Sequence, residues 1–231
     1  MPAATDQDAN EPAKKAAGGR SRRGAETRAR LVEAAKVVFE RDGFLEARIT
    51  DIAKEAGVSH GSYYHYFESK EQLFREVAEV QEARLTAPPD DSSATGHDVA
   101  LSARIEAANR RYLERYRDES LIMGVIEQVS RYDDHVRDVR AERFRFFGDR
   151  SEAAIRHWQE DGQVDPAIDP KLAADALGAM VARFAELWLV QGYCDYDFDH
   201  VVEQLSLLWG NALGLNDATP TKKPQSGRPL V

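Results

Sequence analysis

Residues 48 to 74 read RITDIAKEAGVSHGSYYHYFESKEQLF. Ile52, Ala53 and Ala56 recur at a spacing that lays one apolar stripe along a helix. Gly57 follows where a helix commonly ends, because glycine takes positive φ without penalty. Val58 is apolar enough to anchor the turn, and the Ser59 hydroxyl can accept from the first free N–H groups of a second helix. Tyr63 and Phe67, four residues apart, then face inward against Ile52 and Ala56. His60, Gly61, Ser62, Tyr64, His65 and Tyr66 are left facing outward.

An outward face of small residues, hydroxyls and imidazoles differs from the Glu and Lys of a helix that only solvates. It suits a helix entering the DNA major groove, where small N-terminal residues permit close approach and polar tips meet base edges and phosphates. Ser69 can cap a further helix starting at Lys70, with Leu73, Phe74 and Val77 on its apolar side. Lys70 beside free N–H donors is the expected phosphate clamp.

Thr50-Asp51-Ile52-Ala53, Ala56-Gly57-Val58-Ser59, Gly61, Tyr64-His65-Tyr66-Phe67 and Ser69-Lys70-Glu71 with Leu73 resemble the N-terminal helix-turn-helix of the TetR/AcrR family of bacterial transcription regulators. The resemblance implies an all-α fold of about nine helices: a three-helix DNA-binding domain and a larger helical domain for ligand binding and dimerisation. Thr50 of the matching motif joins Ser59, His60, Gly61, Ser62, Tyr64, His65, Tyr66 and Lys70 in the expected DNA-contacting set. Three positions depart from the family pattern. Arg48 stands where a capping Thr or Ser is usual, which redirects it toward phosphate; His60 replaces a common Lys, and Tyr63 an aliphatic residue.

The preceding helix, Ala25 to Asp42, carries the stripe Leu31, Ala35, Val38 and Phe39, and Gly43 ends it before Phe44 and Leu45. Three helices of this size bury little, so a fourth, from Lys70 to about Arg84, is needed for support. The expected organisation is an arm over 1–23, a DNA-binding domain over 24–70 with its motif at 48–67, a helical domain over 71–215 and a disordered tail over 216–231.

The net charge of −9 would argue against DNA if it were uniform. Residues 13–70, however, hold 12 Lys and Arg against 8 acids, and residues 71–231 hold 19 against 29. The positive charge is therefore local to the motif. Seven bases and one acid fall between Lys14 and Arg30, which makes the arm either a phosphate-tracking or minor-groove segment or a solvated tail. One cysteine, Cys194, excludes a disulfide framework and fits a reducing cytoplasm. No apolar run approaches ~18 residues, so no membrane span is expected, and the N-terminus lacks the apolar core of a signal peptide.

Residues 87–96, rich in Pro, Asp and Ser, read as a loop. Five periodic segments follow: Asp98 to about Arg117, Ser120 to Tyr132, His135 to Asp161, a segment capped by Asp169 and Pro170 that runs to Gln191, and Asp199 to Leu213. The last two are apolar on more than one face. Met180, Phe184, Leu187, Val201, Leu205, Leu208, Trp209 and Ala212 are candidates for pairing with a second copy in a four-helix bundle, against the alternative of a thick monomeric core.

Tyr112, Tyr116, Met123, Ile126, Glu127, Phe144, Phe147, Phe184 and Trp188 lie in segments that, by the resemblance, line a cavity for a small and largely apolar effector. Glu127 is either a solvated helix-edge acid or a buried one that reads a polar group. Asp133-Asp134-His135 and Asp197 to His200 bring acid and imidazole together without metal-ligand spacing, so no metal or cofactor is expected. No nucleophilic triad or phosphate loop is present, which argues against catalysis. The expected partners are an operator in double-stranded DNA, a second copy and an effector. A repressor is the leading reading, beside an activator or a helical enzyme or structural module with an incidental basic head.

Overall fold

The computed structural model describes residues 11–87 and 100–215, with side chains from Arg22 onward. The expectations for residues 1–10, for most of the 87–96 loop and for the tail from 216 lie outside the described residues. Among those described, every regular element is helical: α1 (Glu11–Glu46), α2 (Ile49–Glu55), α3 (His60–Tyr63), α4 (Lys70–Thr86), α5 (Leu101–Asp118), α6 (Ser120–Val129), α7 (Asp134–Glu160), α8 (Pro170–Ala185) and α9 (Phe198–Ala212). A π-helical turn, Glu186–Val190, follows α8.

Helix α1 begins earlier than the arm reading allowed. Ala13, Lys14, Lys15, Ala16 and Ala17 are strong helix formers and outweigh the two glycines that follow. Its far end is as expected: Gly43 takes φ 72°, the regular helix breaks, and one more turn carries Phe44 to Glu46.

Two compact units are present. The first comprises residues up to Glu82 together with Leu121–Arg140, and the second Ala83–Ser120 together with residues from Ala141 onward. This differs from the expected division at residue 70, because the head keeps most of α4 and takes in a second stretch of chain. The core of the first unit shows why. Leu31, Ala35, Val38, Phe39, Ile52, Tyr63, Phe67, Leu73, Phe74 and Val77 are buried to within one per cent. Phe39, Phe44 and Phe74 meet at centroid distances of 4.9–5.8 Å, two of the three contacts edge-to-face. Tyr132 closes on Phe44 from the second stretch, at 6.5 Å.

The two acid–imidazole runs act as helix caps. Asp133 accepts from the Val136 N–H at 3.1 Å and pairs with Arg75 at 3.0 Å, while Asp197 accepts from the His200 N–H at 3.0 Å. Burial alone would raise Asp133, but the Arg75 and backbone hydrogen bonds outweigh it and hold the carboxyl below its ordinary value.

In the second unit, α5 packs on α9, and the buried Asn109 donates to Ser206 at 3.1 Å. Asp169 caps α8 by accepting from Leu172 N–H at 2.8 Å, with Pro170 in the first turn. Glu186, buried in the π-helical turn, accepts from Arg183 at 2.6 Å and Gln191 at 3.1 Å, which explains how two polar residues interrupt an apolar run.

Lys70 is the side chain on which the head closes. Its ammonium donates to the carbonyls of Phe44 at 2.7 Å, Ala47 at 2.9 Å and Leu45 at 3.1 Å, and lies 4.8 Å from the Phe44 ring centre. All three N–H donors are thereby spent on the broken end of α1. Lys70→Ala is expected to destabilise the protein by about 2 kcal/mol, since three carbonyls lose a charged donor. Thermal unfolding followed by circular dichroism should show a fall of several degrees, and an unchanged midpoint would show that the tripod contributes little.

Candidate nucleic-acid interface

Helix α2 starts at Ile49 after Arg48, whose extended backbone supplies the N-cap position without any side-chain cap. The residue is exposed, as is Thr50 two residues on. The helix stops at Gly57, where φ is +67°. Any L-residue there would be strained, so the sharp reversal into α3 depends on glycine.

Ser59 then caps α3 as its sequence position suggests, its hydroxyl accepting from Ser62 N–H at 3.1 Å. The two serine hydroxyls also lie 2.7 Å apart, so Ser62 is half-buried and engaged within the turn. Helix α3 is a single turn, continued by a tight turn over Tyr64–Tyr66.

Tyr63 and Phe67 point inward, fully buried. The Tyr63 hydroxyl donates to the Ser69 carbonyl at 2.9 Å, and burial pushes its phenol well above the ordinary value. An aliphatic residue at this position could not make that bond. Ser69 in turn caps α4, accepting from Gln72 N–H at 3.1 Å.

The outward face consists of Ser59, His60, Gly61, Tyr64 and His65, with Ser62 and Tyr66 partly covered. Tyr64 is 49 % exposed and is braced edge-on by Tyr63 and His60, each at a centroid distance of 5.3 Å. A braced tyrosine presents its hydroxyl at small entropic cost. Nothing lies within 4 Å of where a Gly61 Cβ would stand, so that position permits close approach by a large partner. Lys70, expected on this face, is turned to the end of α1 instead.

Sequence reasoning missed Arg28, which it grouped with the arm. Its guanidinium forms a two-point pair with Glu76, donates to the Tyr66 carbonyl at 2.7 Å and stacks 4.2 Å from the Phe67 ring centre. It thus fixes the far side of the turn that presents Tyr64 and His65. Its position on the stripe side of α1 was the available signal, but its partners lie 38 and 48 residues away.

The second unit contains a cavity of about 310 Å³. Of the expected effector contacts, Tyr112, Phe144 and Phe147 line it, with Tyr112 edge-on to Phe147 at 5.4 Å. Tyr116 is buried in the core instead. Met123 and Ile126 are buried in the first unit, and Glu127 pairs there with Arg131 at 2.7 Å as a helix-edge acid. Phe184 and Trp188 face each other at 6.1 Å in a cluster with Tyr196 and Phe198, and neither lines the cavity. Trp158 and Trp209 line it, the latter having been assigned to pairing.

The remaining pairing candidates divide. Val201 and Leu205 are buried within the unit, as Trp209 is. Leu208, 51 % exposed, and Ala212 stay on the outer face of α9, while Met180 and Leu187 are half-buried. Among the described residues, no helix is long and apolar enough to cross a membrane.

Residues 31–77 match the family model described as bacterial regulatory proteins, tetR family. The HTH-type transcriptional regulator YfiR of Bacillus subtilis is 44 % identical over 52 residues, 22 % of this chain and 25 % of that protein. The similarity to YfiR and to its fellow B. subtilis regulator YdgC spans about a quarter of their length. The HTH-type transcriptional repressor KstR2 of Rhodococcus jostii is 28 % identical over 167 residues, 59 % of this chain and 82 % of that protein. A crystal structure of the regulator FadR of B. subtilis, in complex with stearoyl-CoA, superposes with a TM-score of 0.62 over 78 % of this chain and 96 % of that one, at 15 % identity, and so shares the fold. The helix-turn-helix built by these residues is therefore similar to that of the bacterial tetR-family regulators, the likeness in sequence to the family model being confined to residues 31–77.

Proposed function

We propose that the protein is a sequence-specific DNA-binding repressor, acting as a homodimer on a palindromic operator and released by a small ligand held in the second unit. The observation that carries this reading is the Ser59-capped turn presenting His60, Gly61, Tyr64 and His65 on a rigid core. His60 and Gly61 at the helix N-terminus are the base-reading positions, and Arg48, Thr50, Tyr64 and Tyr66 the phosphate-positioning ones. Lys70 contributes by holding the turn. The KstR2 similarity supports the choice of repressor.

One short reading helix yields little affinity, and two half-sites about one DNA turn apart (~34 Å) multiply it. The exposed Leu208 and Ala212 of α9, with Met180 of α8 and Leu187 of the turn after it, provide the apolar residues for pairing. Helix α4 begins at Lys70 beside the reading turn, and its last residues, Leu85 and Thr86, line the cavity. A ligand that binds better when this end is shifted therefore draws the heads out of register with the operator. A near-complete switch needs about 10⁴-fold preference between states.

Selection of bound DNA from random oligonucleotides is expected to return a two-fold symmetric site. Tyr64→Phe and Arg48→Ala should weaken binding to every sequence by several-fold, with Arg48→Ala lowering the salt slope by about one. His60→Ala should instead relax preference at one base position per half-site, at a cost of ~1–3 kcal/mol on the preferred base. DNA binding untouched by all three substitutions would overturn the assignment.

Leu208→Arg is expected to give monomers by light scattering and to weaken operator binding at least tenfold. A dimer that survives this change would place the pairing surface away from α9.

A further inference from the structure

The cavity of the second unit is lined by five arginines, Arg104, Arg111, Arg115, Arg143 and Arg150, and by no aspartate or glutamate. This is an unusual place for positive charge, because residues 71–231 carry 29 acids against 19 bases. Arg143 is buried, and Arg115 is directed to the carbonyls of Leu85 and Ala87. Arg104, Arg111 and Arg150 form no ion pair among the described residues. Arg104 and Arg150 instead lie over the rings of Trp158 and Phe146, at 5.6 Å each. Guanidinium groups collected in a partly enclosed apolar space repel one another unless an anion joins them.

Two further donors point the same way. The indole N–H groups of Trp158 and Trp209 are buried and have no hydrogen-bond acceptor, and both residues line the cavity. Buried donors left without acceptors are costly and mark a place where an acceptor is missing. The remaining wall is mainly aromatic and aliphatic, with Thr86, Asn109 and Ser151 as its neutral polar side chains, and Gly178 leaves open space where a side chain would stand.

We infer that the ligand of this cavity is an amphiphilic organic anion: a flat or flexible apolar body against the aromatic wall, and a carboxylate-like group held by the arginines and the tryptophan N–H donors. This rests on the reading that the cavity takes the effector and replaces the expectation of a largely apolar one. The volume of about 310 Å³ is at the small end of the usual ~300–1,000 Å³ range, so the body is compact.

The test uses the full chain and two fluorescent probes of matched skeleton, 8-anilinonaphthalene-1-sulfonate and its uncharged relative N-phenyl-1-naphthylamine. The sulfonate should bind at least about tenfold more tightly, by fluorescence titration, and lose affinity as salt is added. Arg104→Gln with Arg111→Gln should remove most of that preference while leaving the neutral probe within about twofold, and Arg111→Lys should restore part of it. Gly178→Trp should exclude both probes. Equal affinity for the two probes, with both excluded by Gly178→Trp, would overturn the anion while keeping the cavity as a ligand site. Equal loss of both probes in the double variant, with its circular dichroism unchanged, would also overturn the anion, making the arginines structural. Binding of neither probe, or binding that Gly178→Trp leaves untouched, would overturn the cavity reading together with the inference.

Discussion

Helix α1 has to stop and turn back at Gly43, and the carbonyls freed there face a site that Phe44 has made apolar. Backbone acceptors in such a place need donors. Lys70 brings three from the first residue of α4, and the consequences run on through neighbouring residues. Ser69, adjacent to it, caps α4 with its hydroxyl and accepts the Tyr63 hydroxyl with its carbonyl. Tyr63 braces Tyr64, and Arg28 fixes the next turn through the Tyr66 carbonyl. The orientation of the reading turn is thus inherited from the way α1 ends.

Local chemistry made the helix-turn-helix legible. Gly57, Ser59, Tyr63 and Phe67 act through the turn they sit in, with partners three to six residues away, so spacing alone reveals their roles. Lys70 and Arg28 were misread because their partners lie 23 to 48 residues distant. A cation beside a helix N-terminus looks like a phosphate clamp until the acceptors at the end of α1 are in view. Charge counting found the basic segment but could not tell which cations were already engaged within the head.

The cavity was legible only as a set of aromatic residues. Periodicity identified helices with more apolar surface than one face needs, yet it cannot say which face meets which neighbour. Tyr116 and Tyr112 are one helical turn apart, and one is core while the other is lining. Met123, Ile126 and Glu127 went wrong for another reason: the stretch 121–140 belongs with the head. A chain that leaves a unit and returns to it is invisible to a reading that divides sequence only at loops.

The arginines are instructive because each alone reads as an ordinary solvated residue. Arg104, Arg111 and Arg115 recur at spacings of seven and four, which places them along one side of α5, and Arg143 and Arg150 stand seven apart on α7. Two such stripes meeting at one cavity concentrate charge that the net count of the unit conceals. Folding must then tolerate the repulsion among Arg104, Arg111 and Arg150, which the rings of Trp158 and Phe146 offset in part. The anion inferred for this cavity would remove the remainder. Such an anion would stabilise the form of the second unit in which the arginines converge, at a wall that Leu85 and Thr86 share.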